Sequence, residues 1–197
     1  IDGTVLEHAG RRYFVWSGRT AAHDGDQHLY VAAMANPWTL AGDRVLLSSP
    51  EQAWERAGRS GVNEGPQVLR NRAGRVFLVY SAGGCWTDDY ALGMLALRDG
   101  GDPLVRADWT KSDRPVFRKA ANRGAYGPGH NGFFRSPDGA EDWLVYHANA
   151  YPGQGCGDAR SVRMQSFRWR DDGTPDFDVP ASVGTPLAVP SGDAPGP

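Results

Sequence analysis

The chain lacks what would direct it to nucleic acid, to a membrane or to zinc. Its 21 Lys and Arg are offset by 23 Asp and Glu, a formal net charge of −2, so no basic excess marks a nucleic-acid surface. No apolar run is long enough for a membrane-spanning helix. Cysteine occurs only at Cys85 and Cys156, and no Cys/His spacing reads as a zinc site. Turn formers and aromatics, by contrast, are plentiful. The 197 residues include 26 Gly and 14 Pro alongside 7 Trp, 7 Tyr and 7 Phe. That mixture suits many short strands joined by tight turns, and no stretch promises a helix longer than a turn or two. Ile1 stands where a methionine would, without a targeting segment. The expectation is a mature or shortened product, with further material upstream.

Three segments share one pattern, an ionisable residue near a glycine followed by two strand-like runs. They are Asp2-Gly3-Thr4-Val5 leading to Tyr13-Phe14-Val15-Trp16, Glu64-Gly65-Pro66-Gln67-Val68 leading to Val76-Phe77-Leu78-Val79-Tyr80, and His130-Asn131-Gly132-Phe133 leading to Trp143-Leu144-Val145-Tyr146-His147. Their spacings are 64 − 2 = 62 and 130 − 64 = 66 residues. Repeats of this order, built from strands, belong to β-propellers. The strands are expected near 3–8, 12–18, 28–34 and 44–48; then 65–70, 75–81, 91–97 and 115–118; then 131–135, 142–148, 162–169 and beyond 176. Four strands per unit is the content of a propeller blade, so the predicted class is all-β, with about three blades at 1–60, 61–125 and 126–185. Residues 182–197, rich in Pro, Gly and Ala, are expected to run as an extended, partly mobile strip, with 186–197 outside the blades.

If the copies are equivalent, Asp2, Glu64 and His130 occupy one position in successive blades and converge on the propeller axis. Innermost strands line that axis, and their first residues decide what its mouth contains. The neighbouring glycines permit close backbone approach, and Pro66 fixes the chain after Glu64. Two carboxylates and a histidine there make a candidate site for general acid/base chemistry. Taken singly, Asp2 or Glu64 would read as an exposed turn carboxylate; their shared frame argues otherwise.

The segments Ile1-Asp2-Gly3-Thr4-Val5, Val62-Asn63-Glu64-Gly65-Pro66-Gln67 and Tyr126-Gly127-Pro128-Gly129-His130-Asn131 resemble those of glycoside hydrolase family 43. The likeness runs from Asp2 to about Ser191. It implies a five-bladed propeller acting on arabinose- or xylose-containing plant polysaccharides, and Ser81-Ala82-Gly83-Gly84-Cys85-Trp86 is most similar to α-L-arabinofuranosidase members. Carried over residue by residue, it implies that Glu64 is the general acid. Asp2 is implied to orient that acid and raise its pKa, as a nearby like charge would. It further implies that His130 lies beneath the sugar, in some members linked through water to a central calcium ion. Arg160 resembles an arginine reaching into the site, with Arg163 as competitor. The chemistry implied needs no cofactor.

The family's third carboxylate, an aspartate general base, has no counterpart here and is expected upstream of Ile1. An inverting mechanism needs it about 6.5–9.5 Å from the acid. The missing blades are expected from a second chain or the missing N-terminal part. The alternative is a non-catalytic carbohydrate-binding propeller or inactive fragment. No nucleic acid or membrane is expected as partner, and secretion is. Cys85 and Cys156, in loops of neighbouring units, are either bridged or two buried thiols. Trp16, Trp86 and Tyr151 are candidates for stacking on a sugar, with packing between blades as the alternative. His8, His23 and His28 read as surface or loop residues. Asp24-Gly25-Asp26 is expected to be a turn and not a calcium loop. Ser136-Pro137-Asp138-Gly139 resembles an Asp-box turn, occurs once, and carries no assignment.

Overall fold

A computed structural model describes residues 1–21 and 25–193. His23 and Asp24 lie outside the described residues. Among the described residues, twelve strands form three four-stranded antiparallel sheets, each a meander in chain order. The first holds β1 (Thr4–His8), β2 (Arg11–Gly18), β3 (His28–Asn36) and β4 (Thr39–Ser48). The second holds β5 (Asn63–Arg70), β6 (Val76–Ala82), β7 (Ala91–Leu97) and β8 (Trp109–Lys111). The third holds β9 (Tyr126–Arg135), β10 (Asp142–Asn149), β11 (Ser161–Trp169) and β12 (Pro175–Asp176). Helix among the described residues is confined to short 3-10 turns at 53–56, 106–108 and 121–123.

Alternation of side chains across a strand sorts the core into two layers. Val76, Leu78, Tyr80 and Ala82 of β6 pack with Leu6, Tyr13, Val15, Leu29 and Val31 of the first sheet. Phe77 and Val79 face the other way, onto Leu144, Tyr146, Ala148 and Phe167 of the third. The middle sheet is covered on both faces, which is why β6 reads as an unbroken apolar run and is buried throughout. In β11, only alternate positions turn to the core, and Val162 is 81% exposed.

Strands β4 and β9 start five residues earlier than expected, at Thr39 and Tyr126, and other expectations also need correction. The fourth strand of the second unit lies at Trp109–Lys111, not 115–118. Pro115 cannot donate to the ladder, so the 115–118 segment touches β7 only through a bridge between Phe117 and Leu92. The fourth strand of the third unit starts before 176, at Pro175. His28 is neither exposed nor in a loop: it opens β3, is 9% exposed, and its Nδ1 lies 3.1 Å from Ser49 Oγ. His8 likewise ends β1, with Nε2 3.1 Å from the Gly101 carbonyl.

Each innermost strand carries the same bulge. Ile1 exchanges backbone hydrogen bonds with Ser17 and Thr4 pairs with Val15; Glu64 pairs with Ser81 and Gln67 with Val79; Gly129 pairs with His147 and Gly132 with Val145. Three residues on one strand therefore span two on its partner every time. The residue after the paired one is left-handed in all three sheets: Asp2 (φ 58°), Gly65 (φ 55°) and His130 (φ 52°). The structural register is thus Asp2, Gly65, His130, with spacings 65 − 2 = 63 and 130 − 65 = 65. Glu64 precedes that position by one residue and does not share it, which corrects the expected equivalence of the triplet.

Candidate active site

The bulges bring the three segments together at one end of the blades. Gly65 N–H donates to Asp2 Oδ2 at 3.2 Å, so the carboxylate of the first bulge sits on the amide next to Glu64. A β-carbon on Gly65 would lie 3.3 Å from the His130 ring. With its left-handed φ, Gly65 is doubly required, because an L side chain there would be strained and would press on His130. His130 N–H donates to Ser81 Oγ at 2.7 Å, and its ring is exposed.

Glu64, the second residue of β5, lies half-buried between two donors. Tyr90 O–H donates to Oε1 at 2.7 Å, while Gln27 Nε2 approaches Oε2 at 3.4 Å. Tyr90 is 1% exposed. Burial, and after it the charges of Glu64 and Asp2, push its phenol well above the usual range, so it remains a donor. Its ring stacks on His147 at 5.9 Å and 5°, and His147 on His130 at 6.0 Å and 16°. A column of rings thus runs from the hydrogen-bond partner of Glu64 to His130.

Arg160 Nη1 lies 3.0 Å from His147 Nε2. Guanidinium only donates, so Nε2 accepts and the imidazole proton rests on Nδ1, which has no partner among the described residues. Burial, then the positive charges of Arg160 and His130, lower the His147 pKa to about 4. Arg163 points elsewhere: its Nη1 donates to the Gly124 carbonyl and its Nε to Ser161 Oγ.

The residues around Glu64 form a second repeat that sequence reading passed over. Gln27, Tyr90 and Arg160 each immediately precede the third strand of their sheet. A third set lies near the ends of the second strands, at Ser17, Ser81 and His147. Ser17 Oγ donates to the Asn63 carbonyl at 2.9 Å, and Ser81 Oγ receives the His130 amide, so both tie one sheet to the next. Strand-end position was the available signal. It was obscured because an amide, a phenol and a guanidinium share no chemistry.

A profile of glycosyl hydrolases family 43 matches residues 1–175. The chain belongs to that family. Among its relatives are an extracellular exo-α-(1→5)-L-arabinofuranosidase from Streptomyces avermitilis, 44% identical over 193 residues, and α-L-arabinofuranosidase 43 from Humicola insolens, 42% identical over 196. They match 95% and 96% of this chain, which spans 39% and 40% of their length. The crystal structure of α-L-arabinofuranosidase from Lactobacillus brevis superposes with a TM-score of 0.84 at 40% identity, over 94% of this chain and 57% of that one. The family-43 fold is therefore a β-propeller here as there, and the three sheets are its blades.

Within this family-43 chain the remaining candidates lie as follows. Cys85 and Cys156 form a disulfide joining the β6–β7 and β10–β11 loops, which leave the same end of the blades as Glu64. Trp86 follows the bridge, 45% exposed and packed over Gly58 and Gly84; Tyr151 is 70% exposed. Trp16 stacks on Phe14 at 5.4 Å and is half-buried. Asp26 accepts from Arg56 and from the Gly61 amide. Among the described residues no group of three His, Cys, Asp or Glu side chains is placed to hold a metal ion. Calcium takes oxygen ligands, so the His130 ring would meet such an ion through a water molecule and not directly. A cavity of about 930 Å³ opens instead at the opposite end of the blades, beside Glu7, His8, Arg11, Arg12 and Arg70.

Proposed function

We propose that this chain supplies the acid-bearing part of an inverting, exo-acting glycosidase that releases terminal α-L-arabinofuranosyl units, with β-xylosyl as the second candidate, from plant oligo- or polysaccharides. The observation that supports it most is the pairing of Glu64 with Asp2. One carboxylate is held by a phenol, the other caps the amide beside it, and both open onto the same end of the blades. Glu64 protonates the departing glycosidic oxygen, and Asp2, on the amide next to it, orients it. His130 and Arg160 face the sugar, with Trp16 and Trp86 as stacking surfaces. The aspartate that activates water lies outside these residues, on the remaining part of the propeller or a second chain. Secretion fits the extracellular relative and the disulfide. No helix among the described residues is long and apolar enough to cross a membrane.

Hydrolysis of p-nitrophenyl α-L-arabinofuranoside and β-xyloside by the full-length protein tests the reading, with product anomers followed by proton NMR. Glu64→Gln should lower kcat on natural arabino-oligosaccharides by roughly 10²–10⁴-fold. Undiminished activity in that variant, or an initial product of retained configuration, would sink the assignment.

A further inference from the structure

The two oxygens of Glu64 are not equivalent. Oε1 receives a short hydrogen bond from Tyr90 at 2.7 Å, whereas among the described residues Oε2 has only the Gln27 amide at 3.4 Å, beyond the ordinary hydrogen-bond range. Gln27 Nε2 also faces Ser17 Oγ at 3.2 Å, and that hydroxyl is committed to the Asn63 carbonyl, so the amide is oriented from behind. Tyr90 cannot swing away. It is 1% exposed, and its ring lies parallel to His147, itself held by Arg160. A β-carbon on Gly129 would come within 2.3 Å of the Tyr90 ring, so the third blade closes over it.

We propose that Tyr90 is a positioning residue for Glu64: by occupying Oε1 it leaves Oε2 as the oxygen that carries the proton and delivers it to substrate. This rests on the reading of Glu64 as proton donor. In the step so assigned, the proton leaves Oε2 for the glycosidic oxygen. The electron pair of the breaking C–O bond goes to that oxygen, and water adds to the anomeric carbon, passing its proton to a carboxylate base elsewhere on the propeller. The charged and titratable groups around Glu64 are Asp2 at the Gly65 amide, Tyr90, His130 beside Gly65, and His147 with Arg160 behind the Tyr90 ring. Among the described residues, only Tyr90 donates a short hydrogen bond to the Glu64 carboxyl.

A donor to a carboxylate favours its ionised form. Tyr90→Phe keeps the ring and the stack but removes that donor. The alkaline limb of kcat/KM should therefore move to higher pH by about one unit, the worth of one hydrogen bond to a charged group. KM should hold while kcat falls, more for phenyl than for p-nitrophenyl α-L-arabinofuranoside, because the poorer leaving group needs the proton more. Replacing Tyr90 with 3-fluorotyrosine, a stronger donor of nearly the same shape, should shift the limb the opposite way, which keeps the test open if Tyr90→Phe does not fold. A limb unmoved in both variants, with activity lost uniformly across pH, overturns the proposal. Glu64→Gln separates the two claims. If it spares the phenyl substrate, the acid assignment has failed; if it abolishes that activity while the Tyr90 variants leave the limb in place, only the positioning claim has failed.

Discussion

Lys111→Met is the most exacting test of how the strand bearing Glu64 is held. Glu55 is fully buried, and Lys111 Nζ reaches both its oxygens, at 2.7 and 2.8 Å, with a side chain only 16% exposed. Tyr80 O–H and Asn63 Nδ2 donate to Oε1 at 2.9 Å, and the Gln52 amide donates to Oε2 at 2.8 Å. Asn63 directly precedes Glu64, so this network anchors the start of β5 from inside the fold. Methionine preserves the apolar stem but strands a buried carboxylate. Removing one partner of a buried pair costs about 3–5 kcal/mol. Three neutral donors remain on Glu55, which places the expected loss near the lower end, about 3 kcal/mol. In urea, with a slope of about 2 kcal/mol per molar, the midpoint should fall by about 1.5 M. Adding Glu55→Gln removes the stranded charge, so the double variant should be more stable than Lys111→Met alone, by about 1–2 kcal/mol in a double-mutant cycle. A loss below about 1 kcal/mol for Lys111→Met would refute the buried-pair account, since it would mean that Glu55 reaches water.

Other outcomes can be measured alongside. Reducing Cys85–Cys156, or replacing both with serine, frees a chain separation of 71 residues, worth about 4 kcal/mol on the loop-entropy account, read as a lower melting temperature with dithiothreitol. Gly65→Ala forces a left-handed L residue against His130, so kcat should drop roughly tenfold or more while circular dichroism keeps its strand signature. His147 titrates near 4 in the fold and near 6.5 when unfolded, so the unfolded state binds the extra proton. Stability should be unaffected above about pH 6.5 and decline as pH falls towards 4. The loss is up to about 3 kcal/mol, reduced by the ring's partial exposure, and His147→Gln should flatten that slope in urea titrations.

The sequence by itself determined the blade plan. Strand alternation, turn glycines and the Asn-Glu-Gly-Pro motif are local signals, and they sufficed to set most strands, three sheets and Glu64 at the head of β5. Strand edges were missed at the starts of β4 and β9, at the point where Pro115 broke a ladder, and where a strand shrank to Pro175–Asp176. Three matters only the tertiary structure decided. The bulge moved the repeat register by one residue, because backbone φ at Asp2, Gly65 and His130 is a property of strand pairing and not of residue type. The bridge between Cys85 and Cys156 required two loops to meet across neighbouring blades, with Cα atoms 5.3 Å apart. Tyr90, Gln27 and the Glu55–Lys111 pair were invisible in the sequence because their partners lie 26, 37 and 56 residues away along the chain. Pairing across such separations is set by how sheets stack, and no local pattern encodes it.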